Sequence, residues 1–414
     1  MDPVTSAQFL ILKDSFARKG VEIEAALTPA GEIDYIYVVD RLLAVDSGNN
    51  IDRLQTAMPG LRRADADEQP EIEGLVRLSI DQVLIDDGEP GSLTVPELLD
   101  LVDERLGVSP AADEEPLWTP VHIAYITKIT PFGEPELPGG ATGPWPAKAQ
   151  PGGQGVKIGM SDTGLQPNLG VHPWMTNVTG DPEPLGKKLP SGLRRIPRYA
   201  GHGTFAAGVA KCTAPDARVY VNNHFTESEG EAEDVIVQKL NQLITGQNPD
   251  LVCLPAGLYA RNNSQSLPFN QLHQMHPNLT LVAAAGNDSC TREFYPAAYP
   301  WAIGVGALAT DQQHLAPFSN RGSWVKVSAL GEGLVNAYAF GEYQYQEPPR
   351  APAKQIFQGI AKWSGTSFSA PLVAGLIARQ MAQSGSTAAV AAQVLLNKAQ
   401  AQAIPGVGPV LYPP

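Results

Sequence analysis

Cysteine is scarce: the 414 residues hold three, Cys212, Cys253 and Cys290, and no CxxC pair. An odd count without paired spacing excludes a disulfide framework and a thiolate zinc site. Charge is also sparse, at 17% Asp, Glu, Lys and Arg, while 43% of the residues are hydrophobic. That balance excludes a disordered chain and describes a well-packed globular one. Long apolar runs are missing, and none approaches the roughly 20 residues that cross a bilayer. The first twenty residues carry Asp2, Lys13, Asp14, Arg18 and Lys19 among scattered apolar side chains. They lack the basic start, apolar block and small-residue cleavage site of a secretory signal. The expected location is cytoplasmic, with no membrane and no nucleic acid as partner.

What charge there is lies unevenly. Residues 1–115 hold 25 Asp or Glu against 9 Lys or Arg, a net of −16, and the rest of the chain has 18 against 20. Two units with different tasks are expected: an acidic α+β domain over 1–115 and a larger domain over 155–414. Residues 116–154 read as a linker or arm, because 13 of the 25 residues from Pro131 to Gly155 are Pro or Gly.

In the first unit a helix is expected from Thr5 or Ser6 to Gly20, then strands over Val21–Leu27 and Ile33–Val39 and a short helix over Asn50–Leu61. A further strand is expected over Gly74–Ile80. Thr94-Val95-Pro96-Glu97 has the spacing of a capping box and opens a helix that Gly107 ends. Another strand is read over Val121–Thr127. This unit has no catalytic constellation: its carboxylates read as a solvated face.

After Gly155 the pattern becomes short apolar strands alternating with helices, the signature of a parallel sheet covered on both faces. Active sites of such sheets lie beyond the carboxyl ends of the strands. Asp162 and Asn287 each follow a strand directly, so both belong at that edge. Ser367 stands where a Gly-rich turn meets an Ala-rich helical run ending near Met381. A helix N-terminus offers unpaired backbone amides and the positive end of a dipole. Taken alone, Ser367 is as readily an N-cap on a core helix.

Four segments decide between these readings: Val156-Lys157-Ile158-Gly159-Met160-Ser161-Asp162-Thr163-Gly164, Gly201-His202-Gly203-Thr204, Ala283-Ala284-Ala285-Gly286-Asn287 and Ser364-Gly365-Thr366-Ser367. In this order they resemble the subtilisin-like (subtilase) serine proteases. The resemblance extends through 214–220, 295–307 and 318–324, and covers roughly 155–399. It implies a three-layer parallel-sheet fold and an endopeptidase without a cofactor. Ser367 would be the nucleophile, His202 the general base and Asp162 its orienting partner; Asn287 and the Ser367 amide would bind the oxyanion. An acidic unit ahead of such a domain would be a pro-domain or a substrate-recognition domain. A catalytically silent binding protein on the same fold is the alternative.

The resemblance also implies the walls of the first substrate pocket. Leu254-Pro255-Ala256-Gly257 would form one and Ala283-Ala284-Ala285-Gly286 the other, and such small residues suggest a roomy pocket. Pro255 departs from the family pattern by removing a backbone donor. Lys187, Lys188, Arg194, Arg195 and Arg198 form a basic cluster, expected either as a solvated loop or as a dock for an acidic substrate segment or the acidic N-terminal unit. Residues 335–362, rich in Tyr, Gln and Pro, would form a rim near the nucleophile. No acidic cluster is specific enough to assign calcium or another metal. The expected substrate is a protein or peptide, cut selectively as in precursor processing.

Overall fold

The computed structural model describes residues 3–81, 83, 93–108, 115–126, 133–225 and 230–414. Thr127, at the end of the strand expected over 121–127, and Pro131 and Phe132 of the arm lie outside the described residues.

The N-terminal unit begins with helix α1 (Pro3–Arg18), strands β1 (Ile23–Leu27) and β2 (Ile33–Val45), and helix α2 (Asn50–Ala57). Strands β3 (Arg62–Arg63) and β4 (Leu75–Ser79), helix α3 (Val95–Leu106) and strand β5 (Trp118–Tyr125) complete it. Helix α3 starts on its capping box, with Thr94 and Glu97 satisfying each other's backbone amides, and stops at Gly107 in the left-handed conformation. Strand β2 is longer than its sequence suggests. Its polar break, Asp40–Arg41, stays in the ladder because Arg41 pairs with Glu68 at 2.9 Å while Leu42, Leu43 and Ala44 remain buried.

The larger unit starts with β6 (Lys157–Asp162), β7 (Val178–Gly180), helix α4 (His202–Thr213), β8 (Arg218–Asn223), β9 (Gly230–Ala232) and helix α5 (Glu233–Gln247). Next come β10 (Leu251–Leu254), helix α6 (Leu267–Met275), β11 (Leu281–Ala284), β12 (Ile303–Leu308) and β13 (Val327–Leu330). It ends with β14 (Leu334–Gln344), β15 (Lys354–Trp363), helices α7 (Thr366–Ser384) and α8 (Ala388–Ala401), and β16 (Val410–Leu411). Eight of these strands form one parallel sheet in the order β16-β13-β12-β11-β10-β6-β8-β7. Every residue of β10 through β13 is buried, which requires cover on both faces. The strand order reverses beside β6, and that switch point is where an α/β sheet opens a crevice. Asp162 is the last residue of β6. The rim expected over 335–362 is an antiparallel hairpin of β14 and β15.

The strand expected over Val121–Thr127 starts three residues earlier: Trp118–Tyr125 is a strand of the N-terminal sheet, buried at all but its last residue. Pro120 is accommodated because the β2–β5 register shifts between Tyr37 and Leu42. The other edge of β5 pairs with β9, so one sheet runs from the N-terminal unit into the larger one. Ion pairs line the same boundary: Arg77–Asp234 at 2.5 Å, Arg261–Asp103 at 2.8 Å, Arg292–Asp34 at 2.6 Å, and Arg261 with Asp100. Arg198 of the basic cluster borders helix α1, whose Gln8 donates to Glu347 at 2.9 Å. Arg195 pairs with Glu342 at 3.2 Å and Arg198 with Glu347 at 2.5 Å, both beyond the start of β14.

Candidate active site

Three segments of the sheet edge and its helices bring the candidate residues together. The His202 Nδ1 lies 2.8 Å from Asp162 Oδ1 and 3.0 Å from Oδ2, with both residues buried. Asp162 is held in turn: Oδ1 accepts from the Thr163 amide at 2.7 Å, and the Asp162 carbonyl accepts from the His224 amide at 2.8 Å. The Thr163 hydroxyl accepts from the Gly203 amide at 3.0 Å, tying the first turn of α4 to the end of β6. Gly203 must be glycine, since a Cβ there would overlap the Gly164 carbonyl and approach Asp162. The His202 ring sits against Trp363 at 5.4 Å and Phe368 at 5.0 Å.

Phe368, whose ring meets the imidazole, directly follows Ser367, the second residue of α7. The Ser367 hydroxyl donates to the Pro255 carbonyl at 3.0 Å. Its amide belongs to the first helical turn, where backbone donors have no intrahelical acceptor. Asn287 completes the group. Its Oδ1 accepts from the Thr366 amide and the Thr366 hydroxyl, each at 2.9 Å, which fixes the orientation of the carboxamide. Asn320 holds the loop around it: Oδ1 accepts from the Asp288 amide at 2.9 Å, and Nδ2 donates to the Ala285 carbonyl at 2.9 Å.

The two segments expected as pocket walls run side by side, with Leu254 paired to Ala283. Leu254, Ala256, Ala283, Ala284 and Ala285 are all buried. A side chain at Gly257 or Gly286 would meet the fully buried ring of Phe294. The small wall residues thus have a large aromatic beside them. Its sequence context, Glu293-Phe294-Tyr295, marks it only as a core aromatic.

Two buried titratable groups behind the triad also escaped the sequence reading. Glu183 accepts from the Gly201 amide and from Gln166 Nε2, both at 2.7 Å. Burial pushes its carboxyl up to about 8. His224 lies 2.5 Å from the Ser161 hydroxyl through Nδ1, and burial drags its imidazole down to about 3. Glu183 sits in a Pro-rich loop, Asp181-Pro182-Glu183-Pro184, with no periodicity to mark it as buried.

One segment of the N-terminal unit pairs with the larger unit at a segment expected as a pocket wall. Tyr125 exchanges both backbone hydrogen bonds with Gly257, at 2.9 and 3.1 Å, and pairs with Gly230 on its other side. The end of β5 is thus a strand inserted between two edges of the larger unit.

A family model described as "Subtilase family" matches residues 153–408, more than half of the chain. The chain belongs to the subtilase family. Among its curated subtilase relatives, thermitase of Thermoactinomyces vulgaris is 28% identical over 253 residues, which are 57% of this chain and 78% of that protein. A thermophilic serine proteinase of Bacillus sp. (strain AK1) is 40% identical over 99 residues, 24% of this chain and 20% of that one. This subtilase therefore corresponds to only a fifth of the second relative's length. Among solved structures, fervidolysin from Fervidobacterium pennivorans matches with a TM-score of 0.55 at 16% identity, over 91% of this chain and 60% of that one. That likeness, which concerns the fold alone, takes in the N-terminal unit as well as the subtilase domain. Among the described residues, no helix is long and apolar enough to cross a membrane, and no group of three or more His, Cys, Asp and Glu is arranged to hold a metal ion.

Proposed function

We propose that this subtilase is a serine endopeptidase whose own N-terminal unit occupies its substrate cleft. The observation that carries this reading is the pairing of Tyr125 with both Gly257 and Gly230 beside the Asp162–His202–Ser367 group. An extended peptide adding a strand to an exposed sheet edge gains backbone hydrogen bonds along its length. The substrate then enters as Tyr125 does, as a middle strand. Ser367 attacks the scissile carbonyl while His202 takes its proton, and Asp162 holds the imidazole through Nδ1 and stabilises the imidazolium. The oxyanion is met by the Ser367 amide and the Asn287 carboxamide. His202 returns the proton to the leaving amine, and water then hydrolyses the acyl-enzyme by the same steps in reverse.

The boundary ion pairs support seating of the N-terminal unit through Arg77, Arg261 and Arg292. A cleft that must first be vacated suits selective processing of peptide precursors better than general digestion. Three unpaired thiols agree with a reducing, cytoplasmic setting. The test compares wild type with Ser367→Ala by intact mass and peptide hydrolysis. Wild type should separate into two pieces, cut between Tyr125 and the start of β6, and gain activity as it does so. The Ser367→Ala chain should remain whole and inactive. A wild-type chain that is fully active while whole contradicts the occupied cleft; Ser367→Ala activity equal to wild type contradicts the nucleophile.

A further inference from the structure

We infer that Phe294 restricts the residue on the acyl side of the scissile bond to a small one: Gly, Ala or Ser. The inference rests on the proposed peptidase reading and names the substrate class of that site.

The register of the inserted strand supplies the first step. Tyr125 lies opposite Gly257 in an antiparallel bridge. An extended substrate in that register places the residue two further along opposite Pro255, whose carbonyl contacts the Ser367 hydroxyl at 3.0 Å. That substrate residue precedes the bond to be cut. Side chains two apart on a strand point to the same face. The face is identified by Tyr125 itself, whose ring meets Phe294 edge-on at 6.0 Å. A substrate side chain next to Ser367 is therefore directed towards Phe294.

The second step is the space available there. A Cβ built on Gly257 would overlap Phe294 Cε1 and lie 2.8 Å from Cδ1, and one built on Gly286 would lie 3.3 Å from the same Cδ1. One ring edge thus touches both walls. The ring is also held in place. Leu258 and Tyr295 exchange backbone hydrogen bonds at 2.8 and 2.9 Å in an antiparallel bridge, which fixes residue 294 opposite Tyr259. Tyr259 packs on the ring at 5.0 Å, and its own hydroxyl donates to Asp288 at 2.8 Å. Close-packed interiors do not yield room for a large side chain without displacing a neighbour. Leu, Met, Phe or Tyr at this substrate position would need the ring to leave; a hydrogen, methyl or hydroxymethyl would not.

The experiment uses the full wild-type chain, Phe294→Gly and Phe294→Ala, each incubated with a proteome-derived peptide library and the cut bonds read by mass spectrometry. Wild type should cut after Gly, Ala and Ser, with kcat/KM for an Ala peptide at least about 100-fold above its Phe counterpart, the scale on which pockets separate misfitting side chains. Phe294→Gly should raise kcat/KM for the Phe or Leu peptide by about 10-fold or more. Wild-type cleavage after Phe, Leu or Met as fast as after Ala overturns the inference. So does a folded Phe294→Gly protein with an unchanged profile. If neither variant folds, the wild-type profile alone decides. Absence of any Ser367-dependent cleavage by every form overturns the peptidase reading itself, and this inference with it.

Discussion

Glu183 should make the folded chain lose stability as pH rises through the neutral range. It is 5% exposed, and its two hydrogen bonds come from the Gly201 amide, one residue before His202, and from Gln166. In the unfolded chain the carboxyl ionises near its ordinary value of 4.5; in the folded chain burial, the largest cause, holds it at about 8. The folded-state value is the higher one. The stabilisation it represents is fully present below about pH 4.5 and is lost as pH climbs to about 8, because the unfolded state has released a proton that the native state retains. Each pH unit in that window is worth about 1.4 kcal/mol. From pH 5.5 to 7.5 the loss is about 2–3 kcal/mol from this residue alone. Glu183→Gln mimics the neutral acid: its carbonyl oxygen accepts the same two bonds, and it does not titrate. Guanidinium unfolding of the Glu183→Gln and Glu183 chains, both carrying Ser367→Ala to prevent self-digestion, isolates the term. The glutamine form should gain about 2–3 kcal/mol on the glutamate form between the two pH values. A difference between the two proteins that stays constant from pH 5.5 to 7.5 would refute the assignment of Glu183 as a buried neutral acid.

Asn287→Ala should lower kcat about 100- to 1,000-fold with little change in KM, the usual worth of one oxyanion donor in a preorganised site; steady-state kinetics on a peptide substrate with small residues will show it, and a loss under about 5-fold would mean the carboxamide is not that donor. Arg77→Ala leaves Asp234, 1% exposed, without its 2.5 Å partner, which should cost about 3–5 kcal/mol in the whole chain and loosen the N-terminal unit first. Limited proteolysis checks this, and equal protection of residues 3–125 in both proteins would count against it. His224 works in the opposite sense to Glu183. Its folded value of about 3 lies below the ordinary 6.5, so its stabilisation is present above about pH 6.5 and is lost as pH falls towards 3. His224→Gln should flatten the acid limb of the stability curve, and an unaltered limb would show that the imidazole titrates normally.

Much of the candidate site was legible because each residue proposed for catalysis sits in a local pattern that chemistry constrains. Asp162 and Asn287 follow apolar strands, and Ser367 opens a small-residue helix, so their placement at one sheet edge follows from the strand–helix alternation. The parts that were not legible depend on contacts between distant segments. Phe294 reads as an ordinary core aromatic until Gly257 and Gly286 are seen on either side of its ring. Glu183 lies between two prolines in a polar loop, and only the fold puts the Gly201 amide over it. The strand read over Val121–Thr127 starts earlier, at Trp118, because Pro120 hid its first residues. Its partner β9 is more than a hundred residues away, so no local signal told where that strand would pair. The partners of the basic cluster were not legible either, because Glu342 and Glu347 pair with Arg195 and Arg198 from more than a hundred residues away.

The central claim is that Ser367 is a nucleophile activated by His202. Labelling with a serine-directed fluorophosphonate, with the modified residue located by peptide mass spectrometry, addresses it most directly. The wild-type protein should form one adduct, on Ser367, at a rate suppressed by at least about 1,000-fold when His202 is replaced by Ala. A folded wild-type chain that takes no label, or one labelled equally fast without His202, would contradict it.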